Sequence, residues 1–166
     1  MIEAFEGLMT TPSVPSWHVL VIHFPIALIC LAPVFDLTCL LFRSRVWLDR
    51  AAAAFYVMGT IGAGAAYLTG QRAAKTVGDL TPAAESAMAD HEALAVLTLV
   101  ALSVATLYRC LVSWLARHDQ RINVGIFRLT ALPVALLSLA LLVATADRGG
   151  HLVYQHGVGV SVEKNP

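Results

Sequence analysis

The chain has 166 residues, of which 58% are hydrophobic and 13% charged, and its formal net charge is zero. An ordinary soluble domain is about 45–50% apolar and about 25% charged, so this composition is suited to lipid, and the length fits one domain spanning residues 1–166. Without a net positive charge there is no electrostatic footprint for nucleic acid or any other polyanion.

Residues 1–17, MIEAFEGLMTTPSVPSW, are acidic and carry no Lys or Arg. They lack the positive region of a signal peptide, so the first apolar run is expected to be retained. A spanning helix takes about 20 mainly apolar residues. On that basis four spans are expected, at about 17–42, 51–69, 91–115 and 129–146. With no water in the bilayer core each must be a helix, and the short connections predict an all-α, up-and-down four-helix membrane bundle. The first span opens with HVLVIHFPIALICLAPVFDL, which places His18 and His23 near its start and Asp36 within it. Asp36 is expected to hydrogen-bond Thr38, Thr60 or another polar neighbour rather than to relay protons. The second span is rich in Gly and Ala from Gly59 to Ala66, which predicts close helix packing. Thr81-Pro82 has the form of a helix start, with Thr as N-cap and Pro at the first helical position. The third helix should therefore begin some two turns before its apolar run. Cys30, Cys39 and Cys110 fall in apolar runs without a C-x-x-C spacing, and are expected to act as small hydrophobes.

Orientation follows from basic residues near the span ends. Arg43, Arg45, Arg50, Arg109, Arg117, Arg121 and Arg128 fall on one side, and Arg72, Lys75, Arg148 and Lys164 on the other. This predicts that both termini face outward, into the periplasm if the membrane is a bacterial inner membrane. Five of the six histidines then share the outer face: His18 and His23 begin the first helix, His91 enters the third, and His151 and His156 follow the fourth.

Ionisable residues inside a membrane mark a functional site by default. Neutral imidazoles bind zinc, copper and haem iron. A haem b held by two histidines suits a bundle, because the macrocycle is apolar and the ligands come from facing helices. His18 and His23 are about 140° apart around the helix and cannot share one metal. A zinc site would favour i, i+3 or i, i+4 pairs. The expected axial pair is His23 with His91, and His156 is the alternative; a second haem would take His18 and His156.

The pattern H-x4-H-F-P-I-A-L at residues 18–28, the histidine at 91, and G-G-x-L-V-Y-x-H-G-V-G-V at residues 149–160 together resemble an uncharacterised bacterial family. It is a four-helix inner-membrane family of the domain-of-unknown-function class, whose members occur beside or fused to c-type cytochromes. The resemblance covers nearly the whole chain. It implies functional roles for His18, His23, His91 and His156, and places His151 at a variable position. Val19 stands where relatives usually have proline. By analogy the chain is expected to be a b-type haem subunit in the lipid bilayer. It would pass electrons between quinone or a neighbouring redox centre and a periplasmic cytochrome c or dehydrogenase. The rival expectations are a structural or assembly subunit without redox activity, and a protein that handles copper or zinc.

Overall fold

A computed structural model describes residues 14–42, 46–118 and 124–160. Four helices account for nearly all of them: α1 (Val14–Leu41), α2 (Val46–Ala74), α3 (Pro82–His118) and α4 (Val124–His156). All four contain stretches long and apolar enough to cross a membrane. The helices pack as a closed ring, α1 on α2, α2 on α3, α3 on α4 and α4 on α1. No Cα of α1 approaches α3 within 8 Å, so these two face each other diagonally across the bundle axis. The ring turns apolar side chains such as Leu20, Leu37, Ile61, Leu107 and Leu137 outward, where lipid would meet them.

Local chemistry sets the helix ends. Thr81 caps α3 as expected, its Oγ1 accepting the Ala84 N–H at 3.3 Å while its carbonyl accepts from Glu85. The fourth helix runs ten residues past Ala146, so His151 and His156 lie on it rather than after it. Gly149 and Gly150 do not break it, although each glycine costs about 1 kcal/mol relative to alanine. Packing offsets that cost, since Leu152 is buried and Gly149 lies against His91. The helix stops at Gly157, whose φ of 65° lies in the left-handed region. Pro25, Pro33 and Pro133 remain inside their helices, as bundled membrane helices allow.

Burial follows a 3-4 spacing, the seam of a left-handed bundle. Among the described residues of α1, Pro25, Ile29, Ala32, Asp36 and Cys39 are the buried ones. Each has a buried counterpart on α3, in order Thr98, Leu102, Ala105, Arg109 and Val112, at a constant offset of 73 residues (98 − 25 and 112 − 39). Similarly, Ala52, Tyr56 and Gly59 of α2 match Ala131, Ala135 and Ser138 of α4 at an offset of 79 (131 − 52 and 138 − 59). The α1–α2 and α3–α4 hairpins thus present the same register to the axis, as two pseudo-equivalent halves.

Glycines on α2 bring the first hairpin together. A Cβ at Gly59 would come within 2.6 Å of Ile29, and one at Gly62 within 2.9 Å of Phe24. The small-residue face is therefore a close-packing face, as expected. One part of the orientation count changes. Arg109 is not a loop charge but a residue of α3 with 1% exposure. Arg43, Arg45, Arg121 and Lys164 lie outside the described residues.

Candidate functional site

Continuing the 3-4 register of α1 toward its start leads from Ile29 through Pro25 and Ile22 to His18, and on α3 from Leu102 through Thr98 and Ala95 to His91. His18 and His91 therefore obey the same offset of 73 residues (91 − 18). They are half-buried on diagonally opposed helices, and their rings interact electrostatically. His23 is five residues from His18 and falls off the register. It is exposed, and its Nδ1 donates to the Val19 carbonyl of its own helix at 2.7 Å. The structure thus brings His18, not His23, opposite His91.

The two halves build matching surroundings for the pair. Nδ1 of His18 donates to the Ala66 carbonyl at 3.0 Å, with Thr69 Oγ1 at 3.3 Å. A Cβ on Gly70 would come within 3.0 Å of the His18 ring. On the other side, the Thr145 carbonyl stands beside His91, and a Cβ on Gly149 would come within 3.2 Å of that ring. Thr145 and Gly149 follow Ala66 and Gly70 by 79 residues each (145 − 66 and 149 − 70). The match is incomplete: Arg148 stands where the first half has Thr69, and Nδ1 of His91 is buried without a well-formed hydrogen bond. A buried ring nitrogen without a partner carries a desolvation cost of about 1–3 kcal/mol. For His18, the Nδ1–H bond to a carbonyl leaves Nε2 with its lone pair, the arrangement that metal-bound histidines adopt.

The remaining histidines stand apart from this pair. His156 is half-buried in the last turn of α4, about 10 Å along the helix from Gly149 at 1.5 Å per residue. His151 is exposed and 3.8 Å from Asp147. His118, at the opposite end of the bundle, stacks on Trp114. Among the described residues, no group of three or more His, Cys, Asp or Glu could hold a metal ion.

A second polar layer closes the other end of the axis. Arg109 Nε donates to Asp36 Oδ1 at 2.6 Å, Nη2 to Asp49 Oδ1 at 3.0 Å and Nη1 to Ser113 Oγ at 2.6 Å. Tyr56 donates its hydroxyl proton to Asp36 Oδ2 at 2.9 Å. This network ties α1, α2 and α3 together. Asp36 is thus paired with Arg109 and Tyr56, whereas Thr38 bonds back to Val34 and Thr60 bonds Thr106. Reading Arg109 as a loop charge hid the partner. The 3-4 register would have revealed it, because Asp36 and Arg109 occupy equivalent buried positions of opposite charge. From each histidine to its own helix's charge is 18 residues, about 27 Å of helix. The hydrocarbon core is about 30 Å thick, so the two layers stand close to one core thickness apart. Between them lie Ile29, Ala32, Leu102, Ala135 and Leu142, with the hydroxyl pairs Thr60–Thr106 and Thr98–Thr145 each at 2.7 Å.

No curated protein and no solved structure matches the chain. Residues 15–162 match a family of the description "Predicted membrane protein (DUF2231)". That span contains all four helices apart from the first residue of α1, both polar layers and every histidine, and the chain belongs to this family of four-helix membrane domains of unknown function.

Proposed function

We propose that the chain is a b-type haem subunit of a bacterial inner membrane, with both termini in the periplasm. It would carry electrons between the quinone pool or a neighbouring redox centre and a periplasmic cytochrome c or dehydrogenase. The supporting observation is the diagonal pair His18 and His91, set at equivalent positions of two pseudo-equivalent hairpins. His18 and His91 would hold a haem iron between facing helices, and the haem would supply the electron-carrying chemistry. A four-ligand zinc site is less well served, since no third ligand joins the pair among the described residues.

The residues fit the group in three respects. The Ala66 carbonyl holds His18 in the tautomer that frees Nε2. The Thr145 carbonyl stands ready to do the same for the unpartnered Nδ1 of His91. Gly70 and Gly149 keep the space beside both rings clear of a Cβ. When bound, the haem supplies one-electron chemistry. The protein holds and orients it, and the apolar core from Ile29 to Leu142 keeps water from the side facing the bundle centre. One pair supports one haem; His23 and His156 have no histidine opposite them in this arrangement.

A visible spectrum of the purified protein tests the reading. A Soret band that sharpens on reduction, with narrow low-spin bands, is the expected result. Colourless protein carrying stoichiometric copper or zinc would replace haem with metal handling. Colourless, metal-free protein would favour a structural or assembly role.

A further inference from the structure

Beyond the histidine pair, α2 and α4 end unequally. Gly70 and Gly149 lie against the two rings, but α2 stops four residues later at Ala74 (74 − 70), whereas α4 continues for seven to His156 (156 − 149). Seven residues turn a helix through about 700°, close to two full turns, and raise it about 10 Å. His156 therefore lies on the stripe of α4 that carries Gly149 and the buried Leu152, and it is itself half-buried. Arg72 and His151, two residues past their glycines, are about 200° around the helix from them and exposed. The position that matches His156 in the first half is Val77 (156 − 79), beyond the end of α2. Hydrogen bonding also sets His156 apart. Nδ1 of His18, His23 and His118 each meets a main-chain carbonyl, and His151 is 3.8 Å from Asp147. Among the described residues, no hydrogen bond or ion pair engages the ring of His156.

We propose that His156 binds a propionate carboxylate of the haem that His18 and His91 would hold. The proposal rests on the haem reading and adds the residue that orients the cofactor. Axial ligands lie on the two faces of a porphyrin, so ligands from α1 and α3 leave its edges to the other two helices, α2 and α4. Both propionates extend from one edge, and an ionised carboxylate is costly to place in an apolar medium. On the inner side of the histidines lie Ile29, Ala32 and Leu102, so the carboxylates belong on the outer side. Along α4, that direction leads past Leu152 to His156. An imidazole N–H donates to a carboxylate, and a charged partner makes the bond stronger. Residues 150–155 include no acid to repel it. Along α2 the helix has already ended, and a carboxylate there meets water. One anchored carboxylate on one side is enough to fix which way round the cofactor sits.

The test compares haem release from the full chain in mixed micelles after loading with iron protoporphyrin IX or with its dimethyl ester, in which both carboxylates are blocked. Release is followed by transfer to an excess of a haem-scavenging globin. His156→Ala should speed release of the free-acid form about tenfold, the loss expected for one hydrogen bond to a charged group, while the low-spin bands stay unchanged. The ester should leave His156→Ala and the unaltered chain at the same rate, because it offers no carboxylate. His156→Gln keeps an N–H donor and should restore most of the retention. His151→Ala, off the stripe, should match the unaltered chain. Equal release of the free-acid form with and without His156 would overturn the proposal. Faster release that persists with the ester would also overturn it and make His156 a packing residue of the last turn. High-spin bands in His156→Ala would overturn it by making His156 an axial ligand. A chain that takes up neither form would overturn the haem reading and the propionate contact with it. A chain that holds both forms, with rates indifferent to His156, would overturn the contact alone.

Discussion

Single residues in this protein take their roles from helical phase. His18 and His23 have the same chemistry and lie about 7.5 Å apart along one helix, yet 140° of rotation sends one toward the axis and the other outward. Depth alone favours His23 as the partner of His91, and phase selects His18. The same rule applies at the opposite layer. A guanidinium with 1% exposure is supported there by two carboxylates, a serine and, through Asp36, a tyrosine. Removing one partner from a buried pair costs about 3–5 kcal/mol, because the other charge is left stranded. Arg109→Met should therefore lower stability by about that amount, read from unfolding of the purified protein in mixed micelles. Tyr56→Phe removes one hydrogen bond and should cost only about 1 kcal/mol in the same assay. Equal small losses in both variants would mean that water reaches the network.

At the level of elements, the number and type of helices were legible in the sequence, because runs of about 20 apolar residues leave the chain no other choice in lipid. The start of α3 was legible too, since Thr81-Pro82 carries its own cap. The end of α4 was not. Asp147, Arg148 and two glycines read as a stop, whereas the helix continues with Leu152 buried and Gly149 against His91. Close packing of α2 was visible in its glycines, but its partner was not; the structure identifies α1. Gly62→Leu should force Phe24 and Pro25 aside and separate the first hairpin, lowering thermal stability by about 1–3 kcal/mol, the usual cost of overpacking. Gly64, whose Cβ would meet nothing within 4 Å, is the control: Gly64→Ala should be neutral or slightly stabilising in the same thermal scan.

For the whole molecule, the central feature is the repeated register of two hairpins about one axis. It could not be read from composition, because four helices that are apolar on nearly every face hide the phase of their buried stripe. Only the rare polar positions show it: His18 with His91, and Asp36 with Arg109, each 73 residues apart. Two layers about 27 Å apart, one of histidines and one of ion pairs, stand close to one hydrocarbon thickness from each other. They do not fix which end faces out. Without Arg109 the basic residues still number six against four, which predicts that the histidine layer faces outward, as proposed. A green fluorescent reporter fused after Pro166 and exported through the general secretory route should then stay dark. A bright fusion would invert the bundle and carry the histidine layer to the cytoplasm.

The proposed haem site requires His18 and His91 to hold one iron between them. The decisive measurement is the visible spectrum, oxidised and reduced, of His18→Ala, His91→Ala, His23→Ala and His156→Ala purified alongside the unaltered chain. An alanine at an axial position opens the iron's coordination, so the first two variants should turn high-spin or lose haem. The other two should keep a full complement of low-spin haem, with at most a shifted reduction potential. Low-spin haem retained in His18→Ala or His91→Ala, or lost from His23→Ala, would contradict the pairing.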